Sequence, residues 1–205
     1  MSQREVWDTL AIDWAKFRSV PQEAVQEFLR DKNGLILDVG CGTGRNLLEG
    51  KRFVALDYSK NMLYIGNKKL VYRDDISFVE GDGVSLPFKD KSFNTVMAMS
   101  TVHTLYKKNH PEILKEINRV LKPGGYALIT VWNKRQPRFW FKKKEAFVDW
   151  KIGEKKLSRY YYLYTKNEFK KILKNSGFEI VSIYGSKKKT FRIFSTDIIA
   201  IVRKK

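Results

Sequence analysis

Apolar residues are spaced in two alternating ways along this chain. Short apolar runs, such as those at 35–40 and 53–57, are typical of strands buried on both faces of a sheet. Apolar residues three or four positions apart, as in HPEILKEINRVL at 110–121, are typical of amphipathic helices. The two spacings predict helices at 4–17, 21–30, 59–70, 110–121 and 165–178, and strands at 35–40, 53–57, 76–82, 92–100, 126–132, 179–186 and 196–205.

Strands that alternate with helices predict an α/β fold, in which helices cover both faces of a mostly parallel sheet. The last two strands differ, because only the short segment 186–195 joins them and a short connection forces antiparallel pairing. The prediction is a seven-stranded mixed sheet with one antiparallel strand near its end. Residues 134–157 fit neither spacing and are interpreted as an inserted loop rich in basic and aromatic residues.

The composition is typical of a single folded domain. A chain of 205 residues that is 43% hydrophobic can bury a core of its own. No apolar run approaches the roughly 20 residues that a membrane helix needs, and the opening MSQREVWD lacks the apolar centre of a signal peptide. One cysteine and two histidines give few ligands for a zinc site. We therefore expect a cytoplasmic protein with no metal in this chain.

Positive charge is concentrated in the last third of the chain. Residues 1–133 contain 19 basic and 16 acidic residues, whereas residues 134–205 contain 21 basic and 6 acidic residues, a formal charge of +15. This asymmetry favours a polyanionic partner, either nucleic acid or a membrane surface. The membrane is disfavoured because no helix combines a strong apolar face with a basic one. A lysine-rich surface that only promotes solubility is the alternative.

A glycine-rich turn, DVGCGTG at 38–44, follows the first predicted strand. Its three glycines let the backbone approach a ligand closely, but Arg45 stands where the dinucleotide fingerprint requires glycine. Asp57 and Asp82 end the second and third strands, where open α/β sheets bind ligands. Three acidic strand ends without a basic phosphate grip favour a nucleoside that carries an amine or another cation. S-adenosylmethionine has these features; a tight turn without a ligand is the alternative.

These segments, taken in order, resemble the motifs of class I S-adenosylmethionine-dependent methyltransferases. The resemblance covers residues 35–131 and includes DVGCGTG, GDGVSLPF at 81–88, FNTVMAMS at 93–100 and RVLKPGG at 119–125. It implies a Rossmann-like fold, S-adenosylmethionine as cofactor and S-adenosylhomocysteine as its product. The glycine turn would hold the methionine part, Asp57 the ribose and Asp82 the adenine. The residues that the resemblance assigns to the cofactor are Asp38, Gly40, Gly42, Gly44, Asp57, Tyr58, Asp82, Gly83, Met99 and Ser100.

Further segments resemble the tRNA wobble-uridine carboxymethyl methyltransferases. They are WDTLAIDWAKFR at 7–18, STVHTL at 100–105, VWNKRQ at 131–136 and SRYYYLYTKNEF at 158–169. The resemblance implies that the carboxylate of a 5-carboxymethyl-type wobble uridine in the tRNA anticodon loop is converted to a methyl ester. It also implies a heterodimer with a small zinc-binding activator subunit, which would pair with the edge strand Ile76–Gly81. Tyr162, Thr104 and Arg135 depart from residues common in that family.

A carboxylate acceptor is ionised at neutral pH, so its methylation requires positioning and charge rather than a general base. Arg18 and Arg159 are the candidates to bind it, because a guanidinium can hold a carboxylate at two points. His103 would hydrogen-bond the uridine or the carboxylate; the alternative is a histidine that only caps a strand end. The other candidates for contact with the substrate are Trp132, Gln136, Lys142, Lys143 and Lys144, the lysines as phosphate contacts.

Four tyrosines follow Arg159, at positions 160, 161, 162 and 164. They do not alternate with polar residues as in a half-buried strand, so some phenol rings are expected to face outward, where aromatic residues stack on RNA bases. Tyr160 and Tyr161 are expected at the substrate pocket, in one catalytic group with Arg18, His103 and Arg159. Tyr162 or Tyr164 is expected partly in the core; four core tyrosines are the alternative.

We expect one methyltransferase domain over residues 1–205. It is divided into N-terminal helices (1–33), a cofactor-binding core (34–133), a basic aromatic substrate insertion (134–165) and a C-terminal helix with a β-hairpin (166–205). A second lysine cluster, at 187–189, is a further candidate for phosphate contacts. Two other functions stay open: a methyltransferase of a small molecule, such as a quinone precursor or small acid, and an RNA-binding module that has lost cofactor binding.

Overall fold

The structure is a computed structural model that describes residues 1–17, 19–186 and 196–205. These residues form five α-helices and nine β-strands. The helices are α1 (Gln3–Phe17), α2 (Glu23–Leu29), α3 (Lys60–Lys69), α4 (His110–Val120) and α5 (Lys166–Asn175). The strands are β1 (Leu35–Val39), β2 (Arg52–Asp57), β3 (Ile76–Glu80), β4 (Phe93–Met99), β5 (Leu121–Trp132), β6 (Glu145–Ile152), β7 (Lys155–Tyr162), β8 (Phe178–Gly185) and β9 (Asp197–Lys204).

Seven strands form one sheet in the order β3-β2-β1-β4-β5-β9-β8. Strand β9 runs antiparallel to both of its neighbours, and the other pairs are parallel. The predicted seven-stranded mixed sheet with one antiparallel strand is therefore confirmed. Because parallel strands end at the same edge of a sheet, the glycine turn after β1 and the residues that follow β2 and β4 meet there.

Helices cover both faces of this sheet, as predicted. On one face, Ile113 of α4 and Phe169 of α5 belong to the larger core cluster. On the other face, Leu29 of α2 and Leu63 of α3 belong to the second cluster. The central strands are buried on both faces, which explains why their sequences are continuous apolar runs.

Local capping fixes where two of the helices begin. The side chain of Ser59 accepts a hydrogen bond from the backbone N–H of Met62, which confirms Ser59 as the N-cap of α3. Thr165 caps α5 in the same way, through the backbone N–H of Glu168. After α5, Gly177 has a φ of +86°, a backbone conformation that favours glycine and reverses the chain into β8.

The predicted loop at 134–157 is wrong from residue 145 onward. Strands β6 and β7 form a separate two-stranded antiparallel sheet that pairs Glu145 with Tyr162 at one end and Ile152 with Lys155 at the other. Gly153, with a φ of +57°, lies in the tight turn between them. In β6 every second residue is exposed, so the strand carries the alternation of a half-covered sheet. Its charged residues hid that alternation from a search for apolar runs.

Candidate active site

A cavity of about 1160 Å³ opens at the carboxyl ends of the parallel strands. The glycine turn, the residues after β2 and the segment after β4 form one side of it. Helix α1 and the β6–β7 sheet contribute the other side. The predicted site residues that line it are Gly40, Gly42, Asp57, Tyr58, Asp82, Gly83, Met99, Ser100, His103, Trp132, Gln136, Arg159 and Tyr161.

The glycine turn has a backbone that side chains would distort. Gly40, Gly42 and Gly44 have φ values of +73°, +57° and +79°. A Cβ at Gly40 would collide with the side chain of Thr101, and one at Gly44 would come within 2.9 Å of Leu70. A Cβ at Gly42, by contrast, would have its nearest neighbours, Met62 and Trp14, at 4.0 Å. It would collide with no protein atom, and because Gly42 lines the cavity, its missing side chain leaves the backbone accessible to a ligand.

Asp57 connects the glycine turn to helix α3. Its two carboxylate oxygens accept hydrogen bonds from the backbone N–H groups of Gly42 at 2.8 Å and Ser59 at 2.9 Å. Burial raises the pKa of Asp57 to about 6, although these amides act in the opposite direction. Each oxygen retains acceptor capacity toward the cavity. The carboxylate is therefore fixed in place and suited to accept hydrogen bonds from a diol.

Asp38 is buried directly before the glycine turn and does not itself line the cavity. Neither of its carboxylate oxygens has a hydrogen-bond partner among the described residues. Burial raises the pKa of Asp38 to about 7; the nearby charge of Asp57 adds to the increase and Arg45 opposes it. A buried carboxylate in this state fits a ligand that brings a positive charge. The buried Asp38 carboxyl, which has no hydrogen-bond partner among the described residues, therefore agrees with a ligand that carries an ammonium, as S-adenosylmethionine does.

Asp82 differs from the other two acids because it is exposed. It lies at the cavity, and its Oδ1 accepts a hydrogen bond from the backbone N–H of Val84 at 3.1 Å. Ser100 follows β4 with a φ of +60°, and its backbone N–H donates to Thr130 Oγ1 at 2.8 Å. A non-glycine residue in this conformation is uncommon and is often found at functional sites.

Arg159 is buried on β7, and its guanidinium faces a group of aromatic rings. It donates from Nη1 to the hydroxyl of Tyr161 at 2.9 Å. Its guanidinium carbon lies between 5.0 and 5.8 Å from the ring centroids of Trp7, Trp14 and Trp150. These rings can stabilise a cation, so a permanent positive charge is held in the cavity wall.

Next to Arg159, three aromatic rings form a continuous wall. Trp132 and Tyr161 are stacked with centroids 4.0 Å apart and an angle of 9° between their planes. The ring of His103 lies 5.4 Å from Trp132 and 5.5 Å from Tyr161. Neither nitrogen of His103 makes a hydrogen bond of normal geometry to the described residues. Burial lowers the pKa of His103 to about 3. The charge of His110 lowers this pKa further by a smaller amount, and the backbone of Thr130 acts in the opposite direction. His103 is therefore neutral at physiological pH.

The tyrosines of β7, and Tyr164 two residues after it, are divided between the cavity and the core. Tyr161 faces the cavity together with Arg159, whereas Tyr160, Tyr162 and Tyr164 belong to the main core cluster. All four are buried, with exposed fractions of 1%, 2%, 6% and 0% in chain order. The expectation that some of these phenol rings face outward is wrong, and Tyr160 does not line the cavity. Their burial is possible because their hydroxyls find polar partners inside the core.

Those partners form a polar cluster around α4 and α5. The hydroxyl of Tyr164 lies 2.5 Å from His110 Nδ1, and the hydroxyl of Tyr162 donates to Glu168. Lys107 Nζ lies 4.4 Å from the ring centroid of Tyr162 and 3.8 Å from a carboxylate oxygen of Glu168. The backbone N–H of Lys107 also donates to the hydroxyl of Tyr160 at 3.3 Å. The three core tyrosines thus fix the segment after β4, part of which lines the cavity.

Several predicted substrate residues lie elsewhere. Lys142, Lys143 and Lys144 are exposed and do not line the cavity, and Lys144 pairs with Glu168 at 3.1 Å. Arg18 and the lysine cluster at 187–189 lie outside the described residues. Gln136 is buried at the cavity, where its amide donates to the backbone oxygen of Thr196 at 2.6 Å.

Among the cavity residues that the sequence did not identify, four side chains lie close to Arg159 or Trp132. They are Trp7, Trp14, Arg138 and Trp150. The guanidinium carbon of Arg138 lies 4.5 Å from the ring centroid of Trp132. The spacing of seven residues between Trp7 and Trp14 places both on one face of α1, which is the sequence signal for this pair.

No helix among the described residues is long and apolar enough to cross a membrane. These residues also contain no cluster of three or more His, Cys, Asp or Glu side chains that could hold a metal ion.

Comparisons with known proteins agree on the family. Residues 37–129 match the family described as "Methyltransferase domain". An uncharacterized protein of Methanocaldococcus jannaschii is 30% identical over 207 residues, which cover 91% of this chain and 80% of that protein. The "Probable tRNA methyltransferase 9B" of Bos taurus is 28% identical over 151 residues, which cover 71% of this chain. The match covers 32% of that relative, so this chain spans about a third of its length.

Solved structures share the fold at low sequence identity. A chain from the complex between the Haloferax volcanii Trm112 methyltransferase activator and a methyltransferase has a TM-score of 0.75 at 20% identity, covering 98% of this chain and 97% of that one. The glycopeptide N-methyltransferase MtfA complexed with S-adenosylmethionine has a TM-score of 0.70 at 16% identity, covering 92% and 96%.

The mixed sheet, the glycine turn and the buried acids at the strand ends define a Rossmann-like methyltransferase that uses S-adenosylmethionine. A protein of Encephalitozoon cuniculi described as "Putative methyltransferase" is 30% identical over 158 residues, which cover 73% of this chain and 72% of that protein. The chain therefore belongs to the methyltransferases.

Proposed function

We propose that this chain methylates the carboxylate of a 5-carboxymethyl-type wobble uridine in tRNA and forms a methyl ester. The observation that carries the proposal is Arg159, a buried cation in the wall of the same cavity that contains the cofactor-side residues. A fixed guanidinium next to the methyl donor favours an acidic acceptor. The likeness to the tRNA methyltransferase of Bos taurus and the positive charge of residues 134–205 support an RNA substrate.

On the cofactor side, Asp38 would accept from the ammonium, Asp57 from the ribose hydroxyls and Asp82 from the adenine amine. Gly42 would leave room for the cofactor against the backbone, and Gly40, Gly44 and Gly83 would let the chain pack closely enough to shape the site. Tyr58, Met99 and Ser100 would line the nucleoside and methyl-bearing parts of the cofactor. When bound, S-adenosylmethionine supplies an electrophilic methyl group on a positively charged sulfur. The residues of this chain therefore need to orient it and to keep water away.

On the acceptor side, Arg159 would hold one carboxylate oxygen and leave the other free to react. The free oxygen forms a bond to the methyl carbon while the carbon–sulfur bond breaks, and the electron pair of that bond stays on sulfur. No proton is transferred in this step, because the acid is already ionised at neutral pH. A neutral His103 agrees with this scheme, since its low pKa makes it a hydrogen-bonding group rather than a charge partner.

The flat base of the substrate would lie against the wall formed by Trp132, Tyr161 and His103. Stacking of this kind contributes about 1–3 kcal/mol per base in single-stranded nucleic acid. Gln136 lines the cavity, and its amide oxygen accepts one hydrogen bond, from Arg138 Nε at 3.1 Å. The second acceptor site of that oxygen would be available to the base. Arg18 would bind the acceptor carboxylate together with Arg159. The lysines at 142–144 and those at 187–189 would contact the polyanionic backbone, in an enzyme that we place in the cytoplasm.

The test is mass spectrometry of nucleosides from bulk tRNA that carries 5-carboxymethyluridine, incubated with the protein and S-adenosylmethionine. A new methyl ester is expected with the wild type, none with Asp57→Ala and much less with Arg159→Lys. Phe141→Ala is the matched control, because Phe141 is fully exposed and does not line the cavity. No ester in any condition, despite measurable cofactor binding, would refute the uridine assignment and favour a small acid or a quinone precursor as acceptor.

We also propose a small zinc-binding activator subunit at the edge of the sheet. In the part of the chain that the structure describes, β3 pairs only with β2, so its other edge is available for a partner. Val71 and Tyr72, just before β3, are 62% and 98% exposed. The Haloferax volcanii chain of the same fold comes from a complex that contains the Trm112 methyltransferase activator. Coexpression with a small zinc-binding activator is expected to form a heterodimer, and Tyr72→Asp is expected to weaken it. Tyr64→Asp, at an exposed position of α3, is the control and is expected to leave the heterodimer intact. Equal copurification of the activator with both variants would place the interface elsewhere.

A further inference from the structure

Two exposed aromatic side chains, Tyr106 and Phe147, contact the same buried ring. Tyr106 is 47% exposed and Phe147 is 56% exposed, whereas Tyr160 is almost completely buried. The ring centroid of Tyr160 lies 4.7 Å from that of Tyr106 and 5.7 Å from that of Phe147. We call Tyr106, Phe147 and Tyr160 the aromatic rim. It comes from two separate parts of the chain, the segment after β4 and the β6–β7 sheet.

The aromatic rim rests on a fixed support. Tyr160 lies directly opposite Phe147 in the β6–β7 pairing. The backbone N–H of Tyr160 donates to Gln3 Oε1 at 2.8 Å, and its hydroxyl accepts from the backbone N–H of Lys107 at 3.3 Å. Rings that are already held in place lose little conformational freedom when a ligand stacks on them. The rim is therefore suited to bind a flat group rather than being a set of isolated surface residues.

The position of the aromatic rim relates it to the cavity. Tyr106 lines the cavity itself, while Phe147 lies on the face of the β6–β7 sheet opposite to Arg159 and Tyr161. If a polymeric ligand placed one of its residues in the cavity, a neighbouring residue of the ligand would therefore lie at the rim. Lys107 and Lys108 follow Tyr106 directly, and Lys108 is exposed. Glu145 lies near Tyr160, so the charge next to the rim is mixed. Residues 134–205, which contain Phe147 and Tyr160, are nevertheless strongly cationic as a whole.

We propose that the aromatic rim stacks a nucleotide next to the one whose base enters the cavity. The inference rests on the proposed function, and it adds a second RNA contact outside the reacting site. Aromatic stacking tolerates any base because every base has a π face. The rim would thus hold single-stranded RNA without reading its sequence, and it would distinguish a polynucleotide from a free nucleoside or a small acid.

The test measures the Kd of the wild type and of rim variants for an anticodon stem-loop RNA that carries 5-carboxymethyluridine at the wobble position. Binding is followed by fluorescence anisotropy at fixed salt. Phe147→Ala and Tyr106→Ala are each expected to raise Kd on the order of tenfold, from the usual strength of base stacking. Phe147→Trp is expected to retain affinity. Phe141→Ala is the matched control, since Phe141 is a fully exposed phenylalanine of the same insertion outside the rim.

A second measurement identifies the stacked nucleotide. The nucleotides that flank the wobble position are replaced one at a time by an abasic nucleotide. At one flanking position the abasic nucleotide is expected to raise the Kd of the wild type. The Kd of Phe147→Ala is expected to stay the same there, because this variant already lacks the ring that would stack on the base. Equal Kd values for wild type and both rim variants, or an additive loss at every position, would overturn the inference.

The two proposals fail in different ways. If the RNA binds and the rim variants weaken it, yet no methyl ester forms, the proposed reaction fails and the rim stands. If the wild type forms the ester and rim variants bind RNA normally, only the rim fails. If the wild type does not bind the RNA, both fail.

Discussion

Replacing Asp38 by asparagine is expected to stabilise the cofactor-free protein and to weaken cofactor binding. The Asp38 carboxyl is buried without a hydrogen-bond partner among the described residues, and burial raises its pKa from 3.8 to about 7. The folded protein therefore keeps a proton on Asp38 at pH values at which the unfolded chain has released it. An asparagine resembles the protonated acid in shape and carries no charge.

The size of the effect follows from the shift in pKa. A difference of roughly three pH units corresponds to about 4 kcal/mol, at 1.36 kcal/mol for each unit. Because the folded pKa is the higher one, this penalty is absent below pH 4, grows as the pH rises from about 4 to 7, and is complete above pH 7. Asp38→Asn is thus expected to raise the free energy of unfolding by about 2–4 kcal/mol at pH 8 and by little at pH 4.

Urea unfolding at several pH values between 4.5 and 8.5 measures this difference directly, with and without S-adenosylmethionine. Asp74→Asn is the control, because Asp74 is an exposed aspartate and its replacement should give no comparable pH-dependent gain. Isothermal titration is expected to show weaker cofactor binding for Asp38→Asn, because the ammonium would lose the charged partner that we propose for it. An Asp38→Asn protein that is less stable than wild type at pH 8, or a gain that does not depend on pH, would refute the reasoning.

Three further predictions test other parts of the structure. Arg159→Lys keeps the positive charge but removes the planar guanidinium and its hydrogen bond to Tyr161. The kcat/KM for the tRNA is therefore expected to fall on the order of tenfold to a hundredfold, while the affinity for the cofactor stays unchanged. An equal loss of cofactor affinity would contradict the proposed role of Arg159. Tyr164→Phe leaves His110 Nδ1 without its partner in the core and is expected to lower the free energy of unfolding by about 1–3 kcal/mol, measured in urea, whereas an unchanged value would mean that the bond contributes nothing. Replacing Lys142, Lys143 and Lys144 by glutamine is expected to weaken RNA binding at low salt and to reduce the slope of log K against log salt by about 2–3; an unchanged slope would remove these lysines from the RNA contacts.

Sequence reasoning was most successful where local chemistry decides the structure. The apolar runs of β1 and β4 are buried on both faces, and the cap at Ser59 depends only on a few neighbouring residues. The order of the glycine turn and the strand-end acids fixed which end of the sheet holds the cavity, because parallel strands all end on one side. Gly40 and Gly42 were therefore placed at the cavity from their positions alone.

The β7 tyrosines show where local reasoning fails. Four phenols in five positions gave no alternation, since polarity does not separate one tyrosine from the next. The structure separates them by their partners: Tyr161 stacks on Trp132 at the cavity, while Tyr164 bonds to His110 inside the core. These contacts join residues more than 25 positions apart, and no local pattern contains them.

The sequence by itself determined the strands of the main sheet and the helices that cover it, the direction of the last strand, the edge of the sheet where the cavity opens and the uneven distribution of charge. These depend on short-range spacing, on connection length and on composition. Only the tertiary structure decided that residues 145–162 form a separate sheet, that three tryptophans surround Arg159, and that Tyr106 and Phe147 share Tyr160 as a support. Each of these depends on packing between distant segments, where the burial of a ring or a charge is set by partners that the neighbouring sequence does not contain.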